Sequence, residues 1–425
     1  MSRATSPTTK ARTLPMSPPA PVRPRLRAAV LALAAGLVLA SCAQDAPQDS
    51  WAPEGNQAQM IHDLQWPVFL IAGVVGVIVF VLVLWCVFRY KDRGQPIPEQ
   101  THGKAWLEYM FIALPAVLLA GIAVPSVAVI IDLNDTSDPD CVINITGQQW
   151  WWEYDYPVAS DGSICGFMPT GETGPIVTSG QMVIPTDAKV VVAGTTRDVI
   201  HSFWVPRLNG KRDMVPGRVH TWNFHAERPG IFAGQCAEFC GLSHANMRME
   251  IVALDDADFQ VWLDNQLEPY QSPEEGTLAA EGEAEFIAQC ARCHQVDGLT
   301  DADGELVVAH PEDQVYAGAA PNLTNFMTRN TFAGATWDLL REDCRDDVWE
   351  ASAAEFGEKY LAGVTRDCLN EVDLREWLRD APGKRPMYTD AEKLDATDGL
   401  VRGMPYLALS EDQIDVLVAY LLERK

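Results

Sequence analysis

Two stretches, Trp66 to Phe88 and Tyr109 to Ile131, carry no charged residue, and each exceeds the ~20 residues that an α-helix needs to cross a hydrocarbon core. In lipid every backbone polar group must be satisfied inside the segment, so the pair predicts a transmembrane helical hairpin. Arg89, Lys91, Arg93 and Lys104 crowd the connection, whereas Asp132, Asp135, Asp138 and Asp140 follow the second stretch. Because basic residues stay on the cytoplasmic side, the connection is expected there and both flanking parts outside. Pro115 and Pro125 interrupt the second stretch, and neighbouring helices can take up the carbonyls they free, which points to a larger complex.

A hairpin accounts for little of a 425-residue chain that is 48% hydrophobic, so two soluble units are expected beside it. The net charge of −26 excludes a nucleic-acid binder, which needs a basic face. From about Cys141 to Leu254 short β-rich runs such as C-V-I-N-I, Q-M-V-I-P and K-V-V-V-A-G alternate with turn residues, predicting an antiparallel β-sandwich. Glu268 to Glu275, with two prolines and charges, reads as an exposed, semi-stiff linker. Beyond it, helical patterns at Ala279 to Ala288, Val372 to Leu378 and Glu411 to Leu422 predict a small all-α domain. At the other end, Arg23, Arg25 and Arg27 precede the apolar run Ala28 to Ala40, the layout of an export signal.

Two motifs carry the chemistry. The first is C-A-E-F-C-G-L-S-H-A-N-M from Cys236 to Met247, with His201 upstream in D-V-I-H-S-F-W. Thiolate, imidazole and thioether donors in one compact loop suit copper rather than a hard cation. Cys236 and Cys240 can bridge two coppers, with His201 and His244 terminal and Met247 and the Glu238 carbonyl as weaker ligands. The competing reading is a plain Cys236–Cys240 disulfide. The second motif is C-A-R-C-H, from Cys290 to His294, the pattern in which two thiols hold haem covalently and His294 becomes an iron ligand. A sixth ligand should lie far downstream; Met404 is the first candidate, with Met387 and Met327 as rivals.

With G-Q-Q-W-W-W-E-Y at 147–154, H-S-F-W-V-P at 201–206 and K-R-D-M-V-P-G-R at 211–218, the stretch from about Trp66 to Leu254 resembles subunit II of haem-copper cytochrome c oxidases. That resemblance implies a cupredoxin-like fold and a binuclear CuA centre on His201, Cys236, Glu238, Cys240, His244 and Met247. Gln148 stands where such proteins often have a non-ligand histidine. It also implies that Trp150 is the exposed tryptophan over the copper site at which electrons enter, that Glu108 opens a proton-uptake channel, and that the Glu238 side chain reaches a magnesium ion at the contact with subunit I. Residues from about Thr277 to Lys425 resemble small cytochromes c, which often place the methionine ligand in M-P before a last helix, favouring Met404. Leu306–Gln314 and Leu339–Cys368 read as insertions relative to such domains. Leu39-Ala40-Ser41-Cys42 resembles the lipobox of bacterial lipoproteins, implying lipidation of Cys42.

Of ten cysteines, this leaves Cys86 in an apolar helix and four others. Cys141 with Cys165, and Cys344 with Cys368, are expected as disulfides outside the cell, each worth ~2–4 kcal/mol. The expected organisation is thus a signal peptide at 1–41, an outward segment at 42–65, the hairpin at 66–131, a CuA cupredoxin domain at 132–267, a linker at 268–276 and a cytochrome c domain at 277–425. The expected role is the electron-entry subunit of a caa-type terminal oxidase in a bacterial cell membrane. Its partners would be subunits I and III and a cytochrome c or bc-complex donor. An equivalent subunit of a CuA-type nitric oxide reductase is the alternative; a membrane-anchored copper carrier has no use for covalent haem.

Overall fold

The computed structural model describes residues 46–96, 99, 102–301, 303–307, 320–389 and 402–425. The export-signal region and Cys42 lie outside the described residues. The account below concerns the compact unit Pro47–Lys425.

Helices α1 (Asn56–Arg89) and α2 (Ala105–Leu133) contain the two apolar stretches and extend beyond them. Both are long and apolar enough to cross a membrane, and their apolar side chains lie open in the isolated chain. Pro67, a third proline, joins Pro115 and Pro125 inside these helices. The segment before α1 is tied to the β-domain. Glu54 accepts hydrogen bonds from Arg207 at 2.6 Å and Arg228 at 2.6 and 2.7 Å, and the two guanidiniums outweigh its burial to hold its carboxyl below the usual range.

Ten strands form a β-sandwich: β1 (Cys141–Gln148), β2 (Trp151–Tyr156), β3 (Ile176–Ser179), β4 (Gln181–Pro185), β5 (Val190–Thr196), β6 (His201–Trp204), β7 (Arg212–Met214), β8 (His220–Phe224), β9 (Gly230–Cys236) and β10 (Arg248–Leu254). One sheet has the order β3-β2-β1-β5-β8 and the other β4-β10-β9-β6-β7. Each departs from a purely antiparallel arrangement at one ladder, β1 with β5 and β10 with β4. Local alternation shows a strand's two faces but not which distant strand lies beside it, so these parallel pairings were not readable from the runs. Alternation does place Trp152, Tyr154 and Tyr156 inward, where they are fully buried, the first two edge-on to Phe203 and the third against Trp262. The Tyr156 hydroxyl accepts from Val183 N at 2.7 Å and donates to Val183 O at 2.8 Å, joining the two sheets.

Helix α3 (Asp256–Gln266), not anticipated, follows β10; the Asp255 carboxylate caps it by accepting from Asp258 N at 3.1 Å. Phe259, Trp262, Leu263 and Gln266 are its buried face. The stretch expected as an exposed, semi-stiff linker is largely exposed but anchored at Tyr270. Tyr270 packs under Arg424 and its hydroxyl meets Glu283 and, at 3.2 Å, Tyr420. In the helical domain α4 (Leu278–Gln289) crosses the last helix at Gly282, where a Cβ would lie 2.0 Å from Val416 O. Among the described residues the further α-helices are α5 (Glu342–Trp349), α6 (Ala353–Leu361), α7 (Glu371–Arg379), α8 (Ala381–Lys384) and α9 (Glu411–Leu421). Disulfides join Cys141 to Cys165 and Cys344 to Cys368. The second ties the first turn of α5 to the loop after α6, and α6 packs against α3 so closely that a Cβ at Gly357 would meet Asp258 Oδ2.

Candidate functional site

Strand β9 ends at Cys236 and β10 begins at Arg248, and the loop between them folds back on β6. Cys236 N donates to Met247 O at 2.8 Å and Ala237 N to Ser202 O at 2.9 Å, which closes the loop over His201. The donors converge. Cys236 Sγ lies 3.7 Å from Cys240 Sγ, 3.9 Å from His201 Nδ1 and 3.2 Å from Glu238 O. Cys240 Sγ lies 3.6 Å from His244 Nδ1 and 3.8 Å from Met247 Sδ. The two sulfurs are separate thiols, so the competing disulfide is not formed. His201, Cys236, Cys240 and Met247 are buried, while His244 is half-exposed beside the open Phe239 and Leu242.

Asp198, three residues before His201, was not anticipated. It accepts from His201 Nε2 at 2.9 Å and is itself held by Gln149 N and Val199 N, both at 2.7 Å. An ionised carboxylate only accepts, so Nε2 carries a proton, and Nδ1, which faces Cys236, holds the lone pair when the ring is neutral. Burial alone would lower the histidine, but its hydrogen bonds to Asp198 and Cys236 leave it raised. Cys236 is held well below the ordinary thiol range, first by the hydrogen bond from Cys240 and, against the cost of burial, also by His201. Cys240, donating that bond and buried beside the resulting negative charge, is pushed up. A polarised, buried pair of sulfurs with two flanking imidazoles and a thioether is the donor set a soft metal requires.

The C-A-R-C-H motif opens on a cavity of about 260 Å³ whose wall includes Cys290, Cys293, His294, Met387 and Met404. His294 Nδ1 lies 2.8 Å from Pro321 O. A carbonyl only accepts, so Nδ1 is the N–H and Nε2 keeps its lone pair for a metal. Burial lowers this histidine, favouring the neutral, ligating form, despite its bond to the Pro321 carbonyl. Phe286, Phe326, Leu417 and Leu421 add apolar wall. Met387 and Met404 both reach the cavity wall. Met327 is fully buried and is not part of it.

Gln149, Trp150 and Trp151 also line this cavity, so the β-domain supplies part of its wall. Trp150 departs from the expectation of an exposed tryptophan. It is 2% exposed, because the helical domain covers it: Tyr388 packs on its ring at 5.1 Å and Arg385 Nη2 donates to its carbonyl at 2.7 Å. It also stands in the turn before β2, not on the strand. Its indole Nε1 donates to Cys240 O at 3.1 Å, and Gln149 Nε2 donates to the same oxygen at 2.6 Å. Further contacts seat the helical domain on the copper-type loop. Ser243 Oγ donates to Pro386 O at 2.6 Å, Thr336 Oγ1 to Asn246 O at 2.6 Å, and Arg402 Nε lies 3.7 Å from Asp198 Oδ2.

Glu238 and Glu108 are exposed, the latter in the first turn of α2, and the described residues bring neither to the donor cluster by its side chain. Asp198 could have been found from its spacing to His201. Gln149, Ser243 and Arg385 carry no local signal, being joined across separations of 91 to 235 residues.

Residues 141–254 match the family described as cytochrome C oxidase subunit II, periplasmic domain, and residues 40–129 its transmembrane domain. The chain is 35% identical over 298 residues to cytochrome c oxidase subunit 2 of Alkalihalophilus pseudofirmus, spanning 67% of this chain and 82% of that protein. It is 30% identical over 349 residues to cytochrome c oxidase subunit 2 of Bacillus subtilis, spanning 77% of this chain and 90% of that protein. The crystal structure of the periplasmic domain of subunit II of cytochrome oxidase from Bradyrhizobium japonicum shares 30% identity with a TM-score of 0.27, covering 31% of this chain and 96% of that one.

Proposed function

This chain belongs to the cytochrome c oxidase subunit II family, and we propose from that premise that it is the electron-entry subunit of a caa-type terminal oxidase. Its own helical domain would carry the haem c that feeds the copper centre. The family implies a CuA centre, which His201, Cys236, Cys240, His244 and Met247, with the Glu238 carbonyl, would hold as a binuclear site. Cys290, Cys293 and His294 would hold the haem, with Met404 on its other side. When bound, the haem and the copper pair each supply a one-electron redox couple of small structural change.

The observation that carries this reading is the shared wall. Trp150 borders the cavity of the C-A-R-C-H motif and donates its indole N–H to the carbonyl of Cys240. The burial of Trp150 under Tyr388 and Arg385 supports a fixed approach between the two sites. The match to the Bacillus subtilis protein adds support, since 77% of this chain cannot fit within its first 254 residues and must include part of the helical domain. Tethering replaces a second-order encounter by a local concentration of roughly millimolar order.

The copper-side tip, where His244 stands beside exposed Phe239 and Leu242, would face subunit I, and the exposed Glu238 carboxylate would reach magnesium at that contact. Glu108, at the cytoplasmic end of α2, would help admit protons. Oxygen is the acceptor in this reading, and subunit III and a cytochrome c or bc-complex donor complete the assembly. The test is metal analysis of the full chain in detergent with flash-initiated electron transfer. Two coppers and one covalent haem, with transfer slowed in Trp150→Ala while both spectra stay native, is the expected result. One copper or none after full loading, or native transfer in that variant, would overturn the binuclear site or the Trp150 contact respectively.

A further inference from the structure

One ribbon of the helical domain reaches from the haem-type cavity to the support of a copper-type ligand. Tyr388 N donates to Arg402 O at 3.0 Å and Arg402 N to Tyr388 O at 3.3 Å, an isolated antiparallel bridge. Met387 and Met404, each within two residues of that bridge, line the cavity. Gly403 lets the two passes close up: its φ is +116°, and a Cβ there would run into the Met387 side chain. The same bridge holds Tyr388 on the Trp150 ring at 5.1 Å and carries Arg402 out to Asp198, with Nε 3.7 Å from Oδ2.

At Asp198 the supports of the two sites meet. Its Oδ1 accepts from His201 Nε2 at 2.9 Å and from Val199 N at 2.7 Å, while Oδ2 accepts from Gln149 N at 2.7 Å and faces Arg402. The carboxylate is 2% exposed and the Arg402 side chain 21%, so salt screens this pair far less than a surface one. A carboxylate behind a ligating histidine makes the imidazole a stronger donor, which favours the more highly charged metal. A cation on the far oxygen of that carboxylate opposes the push. Arg402 is not among the residues of the cavity wall, and its Nε faces Asp198, so its charge acts on the copper side before the haem side.

Building on the copper and haem reading above, we propose that Arg402 is a positioning residue for electron transfer, which raises the copper potential through Asp198 and His201. In that step the haem iron loses one electron, the copper pair gains it, and no atom or proton moves. The domain that donates the electron therefore also brings the charge that favours its arrival. This differs from the contact at Trp150, which concerns how fast the electron crosses; Arg402 concerns where it rests.

The test uses the full chain in detergent, carrying haem and loaded with excess copper, with Arg402→Gln, Arg402→Lys, Asp198→Asn and the double variant Asp198→Asn/Arg402→Gln. Copper and haem midpoint potentials are read by optical redox titration, and the seating of the helical domain by hydrogen exchange at the amides of 149–151. Arg402→Gln should lower the copper potential more than the haem potential, moving the electron equilibrium towards haem on the order of tenfold. Arg402→Lys should restore most of that shift. With Asp198→Asn already in place, the glutamine substitution should produce less than half of it, because the cation has lost its anchor and the push on His201 is gone. A native copper potential in Arg402→Gln, or equal shifts of both potentials, would overturn the proposal. An undiminished shift in the Asp198→Asn background would overturn the route through His201. A shift that lysine fails to restore, or that comes with faster exchange at 149–151, would make Arg402 a structural clamp and overturn its charge role. Absence of the mixed-valence copper spectrum or of covalent haem from the wild-type chain would overturn the functional reading itself, and this inference with it.

Discussion

The copper-type loop and the haem-type cavity prepare for their cofactors in opposite ways. In the loop, protein atoms supply the whole donor set and already lie within 4 Å of one another along a chain from His201 to Met247. Groups behind the donors are in place as well, with Asp198 holding the His201 Nε2 proton and Gln149 and Trp150 holding the Cys240 carbonyl. In the cavity the protein supplies attachment points and apolar wall, but leaves an N–H of Arg329 and the Thr331 hydroxyl without partners. A site built wholly from protein donors can be preorganised by the sandwich before metal arrives. A site whose polar groups are completed by a bulky prosthetic group is organised only when that group is in place.

The comparison breaks most sharply at Cys240, whose sulfur is within 4 Å of three other donors. Cys240→Ser should abolish the mixed-valence copper spectrum entirely while leaving covalent haem at its native level, read by optical and paramagnetic spectra of the same sample. Loss of both would show that the helical domain depends on the loop.

Next in size is Trp152→Ala. This fully buried indole packs at 5.7 Å from His201 and 5.1 Å from Phe203, and its removal should cost ~3–5 kcal/mol. Thermal unfolding of the detergent-solubilised chain would check it. The copper site should weaken with the fold, since the same side chain supports a ligand.

Glu250 sharpens the contrast at the domain boundary. It is buried, accepts from Gln181 Nε2 at 2.6 Å and is pushed up to about 7 by desolvation against that bond. The folded protein therefore binds a proton more tightly than the unfolded chain. Stability from this group is full below the ordinary carboxyl range, near 4.5, and is lost as pH rises towards the folded value. Over that window the loss amounts to about 3 kcal/mol. Glu250→Gln should flatten the dependence and raise the melting temperature at pH 8; an unchanged pH profile would place the titration elsewhere.

The smaller effects test each site's support. Asp198→Asn should weaken copper binding ~10–100-fold, measured by competition with a chelator, without altering the haem spectrum. Met404→Ala should lower the haem potential, and Met387→Ala should not. Because both methionines line the cavity, the reverse result would exchange their roles.

The chain's own order of residues determined the two membrane helices, since twenty uncharged apolar residues admit few other structures. It determined the β-sandwich from alternation, the terminal helices of the last domain from their periodicity, and the clustering of Cys236, Cys240, His244 and Met247, which lie within a single short loop. These are local features, written in spacing. Tertiary structure decided what spacing cannot carry. It brought β1 beside β5 and β10 beside β4, anchored the expected linker at Tyr270, and laid the helical domain over Trp150 so that an expected docking face is an internal boundary. It also set Arg385 against Trp150 and Ser243, more than 140 residues away. The physical reason is the same in each case: a strand's period or a ligand's spacing is fixed by bonded geometry over a few residues. Which distant surfaces meet depends instead on the burial and charge balance of the whole fold, and those sums belong to no local window of the chain.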